Sequence, residues 1–534
     1  MTSSWSTVVT AYTIVFSGLK ARVRRIHMIT GSVIALLGTF VFASVCACFV
    51  FQFVAGPLPT RSERIRVTVL SLGLGPLLLA YLLTAYLTVF PGGTRELAIA
   101  STLVSLLILA SLAYWSQRRT NSAWHDMRWT LAHLFSVRRL NVVSIIGLLV
   151  LLFVAGLIVF VAMVVPLTDN DALEYAGSAK LVFEEMSAQR YPFVRLSDSD
   201  DYYGPWSHPM GYVALQTWGF MLQGDLEDTS PIRLITPWFA ICTAIALVHA
   251  IGGIRRTLAP WGAVLLLATP AYLFTTMQSH IDQIRIFSLV AAVLCVPILC
   301  RQPNWRRVAG LGCVLGSGIF AHSLGILSCL LISALVFLSL QTGFWKRVAI
   351  SSAVSLIALL LVSARLIDNV VIFGSPIADV GAVPVYAISQ LDWEAYFREA
   401  RGIATFADQW LAGFFAGLSQ PRLYGITYWL FVVALGVFIL KLRRSGVLTL
   451  NQGLPSRALC MISSTRLEWS SLLVVLMFDF MVFVSVVLDM DSFIKNYRYM
   501  MTTLPLVVIF IVRTMSPPLD NWLRSVTPQG RRMS

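Results

Sequence analysis

Long apolar runs separated by short polar and basic stretches make up most of the chain. Many of these runs are about 18 to 25 residues long, the length that a helix needs to cross a hydrocarbon core of about 30 Å. They lack the alternation of a β-strand, so the pattern predicts helices rather than a barrel. We predict an all-α membrane protein with about thirteen transmembrane helices, at residues 29–54, 67–90, 97–115, 143–165, 231–251, 260–277, 286–300, 308–321, 325–341, 348–366, 423–440, 469–488 and 501–513.

Composition supports the same class of protein. Of the 534 residues, 57% are hydrophobic and 12% are charged, and the mean hydropathy is +0.77. Soluble domains carry roughly 25% charged residues. The net charge of +14 does not indicate a nucleic-acid partner, because the cations occupy short loops between apolar runs, as the positive-inside rule predicts for cytoplasmic loops. These loop cations include Arg255, Arg256, Arg301, Arg306, Arg307, Lys346, Arg347, Lys441, Arg443 and Arg444.

The basic loops also predict the topology. With residues 117–141 in the cytoplasm, the ten helices from residue 143 onward alternate without conflict, and the loops at 167–230, 278–285, 367–422 and 489–500 face the opposite side. The three leading helices fit less well, since this count leaves Lys20, Arg22, Arg24 and Arg25 outside. We therefore divide the chain into N-terminal helices with a basic segment (1–142), a membrane core that includes the long outer loops (143–513) and a cytoplasmic tail (514–534).

An acidic segment, PLTDNDALEYAGSAKLVFEEM, follows the fourth predicted helix and begins at Pro166. Its apolar residues recur at helical spacing, which predicts an amphipathic helix at the membrane surface: Ala172, Tyr175, Ala179, Val182 and Met186. Asp171 and Glu174 lie one turn apart at its start and can face one cleft. The alternative is that Asp169 and Asp171 only cap the helix and favour its positive end.

Four segments in order resemble GT-C-type membrane glycosyltransferases, the group of polyprenyl-phosphate-sugar enzymes related to protein mannosyltransferases and aminoarabinose transferases. DALEYAGSAKLV, followed by YYGPWSHPMGYVALQTWGF, resembles the family's DALxYHxxxAK pattern and the Pro-centred segment that opens a second interfacial helix. HIDQIRIFSLVAAV, RLIDNVVIFGSPIADV and NYRYMMTTLPLVV resemble its second-loop Asp, its RNxxxxGNPxxP segment and its RYxxPxLPLL ending. The chain departs from the family at Ser375, where Asn is common, and at Ala176, where His is common, so the resemblance leaves the sugar open.

The resemblance implies a site and a mechanism. The first-loop Asp of the family is the general base for the acceptor hydroxyl, which corresponds to Asp171, with Asp169 and Glu174 as further catalytic candidates. The lipid phosphate that leaves needs a cation or a metal ion. A guanidinium matches phosphate oxygens, so Arg498 is the candidate clamp, unless it only anchors the helix at the interface. Further phosphate or substrate candidates in the same segment are Lys495, Tyr497 and Tyr499.

Other ionisable residues near the predicted outer face are weaker candidates. Asp282 lies in a short loop with His280 and Arg285, where it binds substrate or metal or forms a salt bridge with Arg285 at the helix end. His208 precedes Pro209 and either binds substrate or packs its loop. His322, at the end of an apolar run, is interpreted as a packed histidine rather than a ligand. The metal ligands are unknown: a divalent cation (Mg, Mn or Ca) and a metal-independent reaction are both open.

These patterns predict an inverting glycosyltransferase of the cell envelope. It would move a hexose or pentose from a polyprenyl-phosphate donor to a glycan, lipid or protein acceptor, at the outer face of a bacterial inner membrane. One alternative is a flippase or transporter of a lipid-linked glycan, which predicts inverted repeats or broken helices with polar sites at the midplane. The other is a non-catalytic scaffold of envelope assembly with the same fold.

Overall fold

Helices are the regular structure of this protein. A computed structural model describes residues 30–56, 58, 60–117, 141–167, 170–189, 191, 209–252, 257–373, 421–444, 467–487 and 497–526, and none of these residues lies in a strand. The α-helices are α1 (Thr30–Ala55), α2 (Arg61–Val89), α3 (Arg95–Gln117), α4 (Val142–Val164), α5 (Asn170–Glu185), α6 (Gly211–Gln223), α7 (Ile235–Ile251), α8 (Ala259–Leu267), α9 (Pro270–Met277), α10 (Asp282–Arg301), α11 (Trp305–Ala321), α12 (Gly325–Ser339), α13 (Phe344–Leu361), α14 (Ser363–Phe373), α15 (Pro421–Tyr424), α16 (Thr427–Arg444), α17 (Leu467–Val487) and α18 (Leu504–Val526). Two 3₁₀-helices, Ile232–Leu234 and Tyr497–Thr502, precede α7 and α18.

The protein is an integral membrane protein by the length and hydropathy of its helices. Seven helices in the described ranges are long and apolar enough to span a bilayer, and α8 with α9 makes an eighth if the bent pair is one span. A helix overlaps each of the thirteen predicted runs. The predicted number of thirteen spans is not reached among the described residues, and the GT-C arrangement remains a prediction.

Contacts between helix ends define two ends of the bundle. At the basic end, Arg301 pairs with Glu63 at 2.8 Å, and the amide of Asn141 donates to the hydroxyl of Thr257 at 2.8 Å. At the opposite end, which we call the site end, the amide of Ala188 donates to the carbonyl of Leu87. The described parts of the predicted outer loops 167–230 and 278–285 contact each other at this end, whereas which end faces the cytoplasm stays a prediction.

The predicted helix at 260–277 is wrong in one respect, because it is broken. The axes of α8 and α9 differ by 66°, and Thr269 between them has an extended backbone with ψ of 121°. The residue before a proline is pushed out of the helical region, and here that proline is Pro270. The Thr269 hydroxyl donates to the Leu265 carbonyl at 2.7 Å and satisfies part of the interrupted ladder.

Three other predicted boundaries differ from the structure. The run at 348–366 forms two helices, α13 and α14, and α18 continues to Val526, well past the predicted end at 513. Helix α2 begins six residues before the predicted start, at Arg61. Thr60 and Glu63 form a capping box there, which stabilises the polar first turn.

Helix α6 is enclosed by other helices, whereas its position at the membrane interface, which the resemblance implies, stays a prediction. Every residue from Gly211 to Met221 is buried, and the helix packs against α2, α5 and α11. Trp218 is fully buried and its indole N–H donates to the Thr39 hydroxyl at 3.0 Å. This part of the loop is packed among other helices, and Tyr212 near its start contacts the Ser279 carbonyl beside His280.

Candidate active site at one end of the bundle

Helix α5 carries Asp171 to the site end. The predicted apolar stripe is confirmed for Ala172, Tyr175, Ala179 and Val182, which are all buried. Asp171 lies in the first turn at the edge of this stripe, and its side chain is 37% exposed. The next candidate, Glu174, is half-buried one turn further along the helix. The predicted cap at Thr168 and Asp169 lies outside the described residues.

The short connection before α10 places His280 against Asp171. His280 is buried, with 1% of its side chain exposed, and its Nδ1 lies 3.9 Å from Oδ2 of Asp171. This distance is too long for a direct hydrogen bond. Catalytic contacts are often long before substrate binds and shorten in the complex. The structure therefore brings together two residues that the sequence had placed in separate outer loops.

Two hydrogen bonds hold this connection in place. The hydroxyl of Tyr212 on α6 donates to the carbonyl of Ser279 at 2.5 Å, and the amide of His280 donates to the carbonyl of Thr275 at 3.1 Å. Ser279 has a φ of +60°, the left-handed region that non-glycine residues rarely occupy. Such backbone persists only where the surroundings enforce it, and it concentrates at functional sites.

A buried ion pair continues the polar cluster inward. Asp282 begins α10, and its Oδ1 lies 2.5 Å from a guanidinium nitrogen of Arg285, with side-chain exposures of 3% and 2%. The salt bridge that the sequence offered as one interpretation of Asp282 is thus present. His280 and Asp282 flank Ile281, so the ion pair and the contact with Asp171 lie in the same short segment.

His322 lies beside this cluster and is buried, in agreement with its interpretation as a packed histidine. Its Nε2 lies 3.9 Å from Oδ1 of Asp282, at the C-terminal end of α11. Its Nδ1 accepts a hydrogen bond from the amide of Leu324 at 3.0 Å. A neutral imidazole that accepts at Nδ1 carries its proton on Nε2, which here faces the Asp282 carboxylate. The one signal in the sequence for the position of His322 beside Asp282 was that an ionisable residue stands at the end of an apolar run.

The segment that carries Arg498 lies at the same end. The backbone of the 3₁₀-helix Tyr497–Thr502 contacts α9 and α10. Met501 in this segment accepts a hydrogen bond at its sulfur from the Thr275 hydroxyl at 3.8 Å, and Tyr428 donates to the Met500 carbonyl at 3.4 Å. The side chains of Tyr497, Arg498 and Tyr499, and all of Lys495 and His208, lie outside the described residues. The predicted meeting of Asp171 with Arg498 therefore stays a prediction.

The assembled site offers a carboxylate with solvent access, backed by buried polar groups. Asp171 is partly exposed, while His280, Asp282, Arg285 and His322 are enclosed. Among the described residues, no group of three or more His, Cys, Asp or Glu side chains has the geometry of a metal site.

Comparison with known proteins adds no relative. No family model matches the chain, and neither a curated protein nor a solved structure is significantly similar to it.

Proposed function

We propose that the protein is an inverting glycosyltransferase that takes a sugar from a polyprenyl-phosphate donor inside the membrane. The observation that carries the proposal is the partly exposed carboxylate of Asp171 beside the buried His280. The backbone of the Arg498 segment lies at the same end of the bundle, where the phosphate of a lipid donor would have to be held. The order of the four GT-C-like segments supports the same function.

The reaction is a single displacement at the anomeric carbon. The acceptor hydroxyl attacks, its proton passes to the Asp171 carboxylate, and the bond between the anomeric carbon and the phosphate oxygen breaks. The polyprenyl phosphate leaves with the bonding electrons, and the configuration at the anomeric carbon inverts. A general base contributes about 10²–10⁴-fold to such a step, and a cation at the phosphate stabilises the leaving group. Arg498 is the residue proposed for the latter role.

The buried groups would position the base rather than react. His280 is held by the Thr275 carbonyl through its backbone and faces Asp171 through its ring. The pair of Asp282 and Arg285 fixes the first turn of α10, directly after His280. A rigid support of this kind keeps the carboxylate near a productive geometry, which is a large part of catalytic power.

The test is replacement of Asp171 by asparagine, with Glu184 replaced by glutamine as the control. Glu184 is an exposed carboxylate on the same helix. We expect transfer by the Asp171→Asn variant to fall by about 10²–10⁴-fold, as expected for loss of a general base, with normal protein levels, and the control to behave as wild type. The measurement is the amount of membrane glycan and of polyprenyl-phosphate sugar in cells that express each variant. Wild-type glycan with Asp171→Asn would refute the assignment.

Two features favour the flippase alternative. The pair α8 and α9 is a broken apolar helix, and Asp479 within α17 is 7% exposed with one carboxylate oxygen unpaired among the described residues. Broken helices and intramembrane polar residues are typical of transporters. Purified protein in detergent separates the two functions, because a transferase forms product there whereas a flippase changes no covalent bond. Product that forms in detergent and disappears with Asp171→Asn supports the enzyme.

The scaffold alternative makes a different prediction. A non-catalytic protein would need its surfaces but not the Asp171 carboxylate, so both the Asp171→Asn and the Asp171→Ala variants would support normal envelope glycans. A partner enzyme would also have to be present for any transfer to occur. Transfer by the purified chain alone excludes this function.

A further inference from the structure

Thr275, on the second half of the broken helix, contacts both sides of the candidate site. Its carbonyl accepts a hydrogen bond from the amide of His280 at 3.1 Å, and the ring of His280 faces Asp171. Its hydroxyl lies 3.8 Å from the sulfur of Met501, in the 3₁₀-helix that carries Arg498. One buried residue thus joins the segment of the proposed base to the segment of the proposed phosphate clamp.

A third element fixes the Thr275 hydroxyl. The side-chain amide of Gln283 on α10 donates to this hydroxyl at 3.0 Å and to the Tyr272 carbonyl at 3.3 Å. Gln283 is fully buried, so each of its N–H groups needs such an acceptor. The hydroxyl proton of Thr275 then has three acceptors within reach: the Ala271 carbonyl at 3.0 Å, the Tyr272 carbonyl at 3.1 Å and the Met501 sulfur. Hydrogen bonds in such a chain strengthen one another.

The next residue, Thr276, shows the ordinary behaviour of a threonine in this helix. Threonines in helices commonly donate their hydroxyl to the carbonyl one turn earlier. The fully buried Thr276 does so to the Tyr272 carbonyl at 2.6 Å, and its hydroxyl makes no further hydrogen bond among the described residues. Helical geometry explains that bond, but it does not require the Thr275 hydroxyl to contact both α10 and the 3₁₀-helix.

We propose that Thr275 is a positioning residue, which holds the 3₁₀-helix Tyr497–Thr502 against α9 and so sets the distance between the general base and the donor phosphate. This inference rests on the proposed function, in which Asp171 acts on the acceptor and Arg498 on the leaving phosphate. Thr275 acts through its neighbours and not on the substrate. A misplacement of about 1 Å at a reacting centre can cost about 10²-fold in rate.

The first test needs no substrate. Hydrogen–deuterium exchange of the backbone amides at 497–502 is measured in purified, full-length protein in detergent. Thr275→Val keeps the shape of the side chain and removes the hydroxyl, whereas Thr275→Ser keeps the hydroxyl. Thr276→Val is the matched control, because it removes a buried hydroxyl from the adjacent residue.

We expect exchange at 497–502 to be about 2–10-fold faster in Thr275→Val, the factor that corresponds to the net contribution of one hydrogen bond. Thr275→Ser and Thr276→Val should exchange as wild type does. Wild-type exchange in Thr275→Val, or equal acceleration in Thr276→Val, would overturn the proposal.

The second test connects the contact to transfer. With Thr275→Val, the KM for a polyprenyl-phosphate sugar should rise by about 2–10-fold, whereas kcat and the KM for the acceptor should stay near wild type, because the clamp binds the donor phosphate both before and during transfer. Met501→Leu keeps the volume and removes the sulfur. It should give the same change, and the double variant should be no worse than either single variant, since both remove one contact. An equal rise in both KM values, or full additivity, would contradict this role.

Asp171→Asn separates failure of this inference from failure of the proposed function. If Asp171→Asn is inactive while Thr275→Val shows wild-type exchange and a wild-type KM for the donor, only the positioning role is wrong. If Asp171→Asn transfers sugar normally, the proposed function is wrong and the positioning role in transfer is wrong with it.

Discussion

Replacing Asp282 with alanine would leave the guanidinium of Arg285 inside the bundle without the carboxylate that lies 2.5 Å from it. Both side chains are at most 3% exposed, so water cannot solvate the remaining charge. Removal of one partner from a buried pair costs about 3–5 kcal/mol. The change also removes the carboxylate that faces His322 at 3.9 Å, so the cost should fall in the upper half of this range. Asp282→Asn, which keeps an acceptor oxygen, should cost less than alanine.

The measurement is the apparent unfolding temperature of purified protein in detergent. Every variant is heated at the same rate, because irreversible unfolding makes this temperature depend on the heating rate. The control is Glu96→Gln, which breaks the surface pair of Arg95 and Glu96, whose side chains are 39% and 71% exposed. Surface pairs contribute little, so no measurable shift is expected there. A shift with Asp282→Ala that is no larger than that of the control would refute the idea that burial makes this pair essential.

Substitutions at three other positions test the supports of the site by the same unfolding measurement. Gly211→Ala would place a methyl group 2.6 Å from the Phe320 carbonyl, forcing α6 and α11 apart at a cost of about 1–3 kcal/mol; unchanged stability would contradict the close packing. Ser279→Gly should be tolerated, whereas Ser279→Val should destabilise by about 1–3 kcal/mol, because its φ of +60° disfavours a branched side chain. Arg365→Gln removes a guanidinium 5.2 Å from the Tyr191 ring and should cost about 1 kcal/mol; no loss would show that this contact is incidental.

The helices and the apolar face of α5 could be predicted from the sequence because each depends on neighbouring residues along one helix. Apolar length predicts a span, and the spacing of Ala172, Tyr175, Ala179 and Val182 predicts a buried stripe. Both follow from the geometry of a single helix. The break at Thr269 could also have been predicted, because a proline constrains the backbone of the residue before it. The run is apolar on both sides of the break, so its hydropathy did not reveal it.

Apart from the local pair of Asp282 and Arg285, the contacts of the site could not be predicted, because they join helices that are distant in the chain. No local pattern indicates that His280 faces Asp171, or that His322 faces Asp282. The burial of α6 was equally hidden: its composition suits an interface as well as an interior, and only the positions of α2, α5 and α11 decide between them. The resemblance placed several of these residues on one face without giving their partners.

The burial of α6 has a consequence for biogenesis. This helix has thirteen residues, too few to cross a bilayer as an independent insertion unit. Its Gly211 contacts the backbone of α11, which the ribosome makes about a hundred residues later. The contact of Gly211 with α11 can therefore form only after translation has passed residue 321. The hydrogen bond from Tyr212 to Ser279 needs only residues that are made earlier, so the two contacts that hold the start of α6 become available at different stages of synthesis.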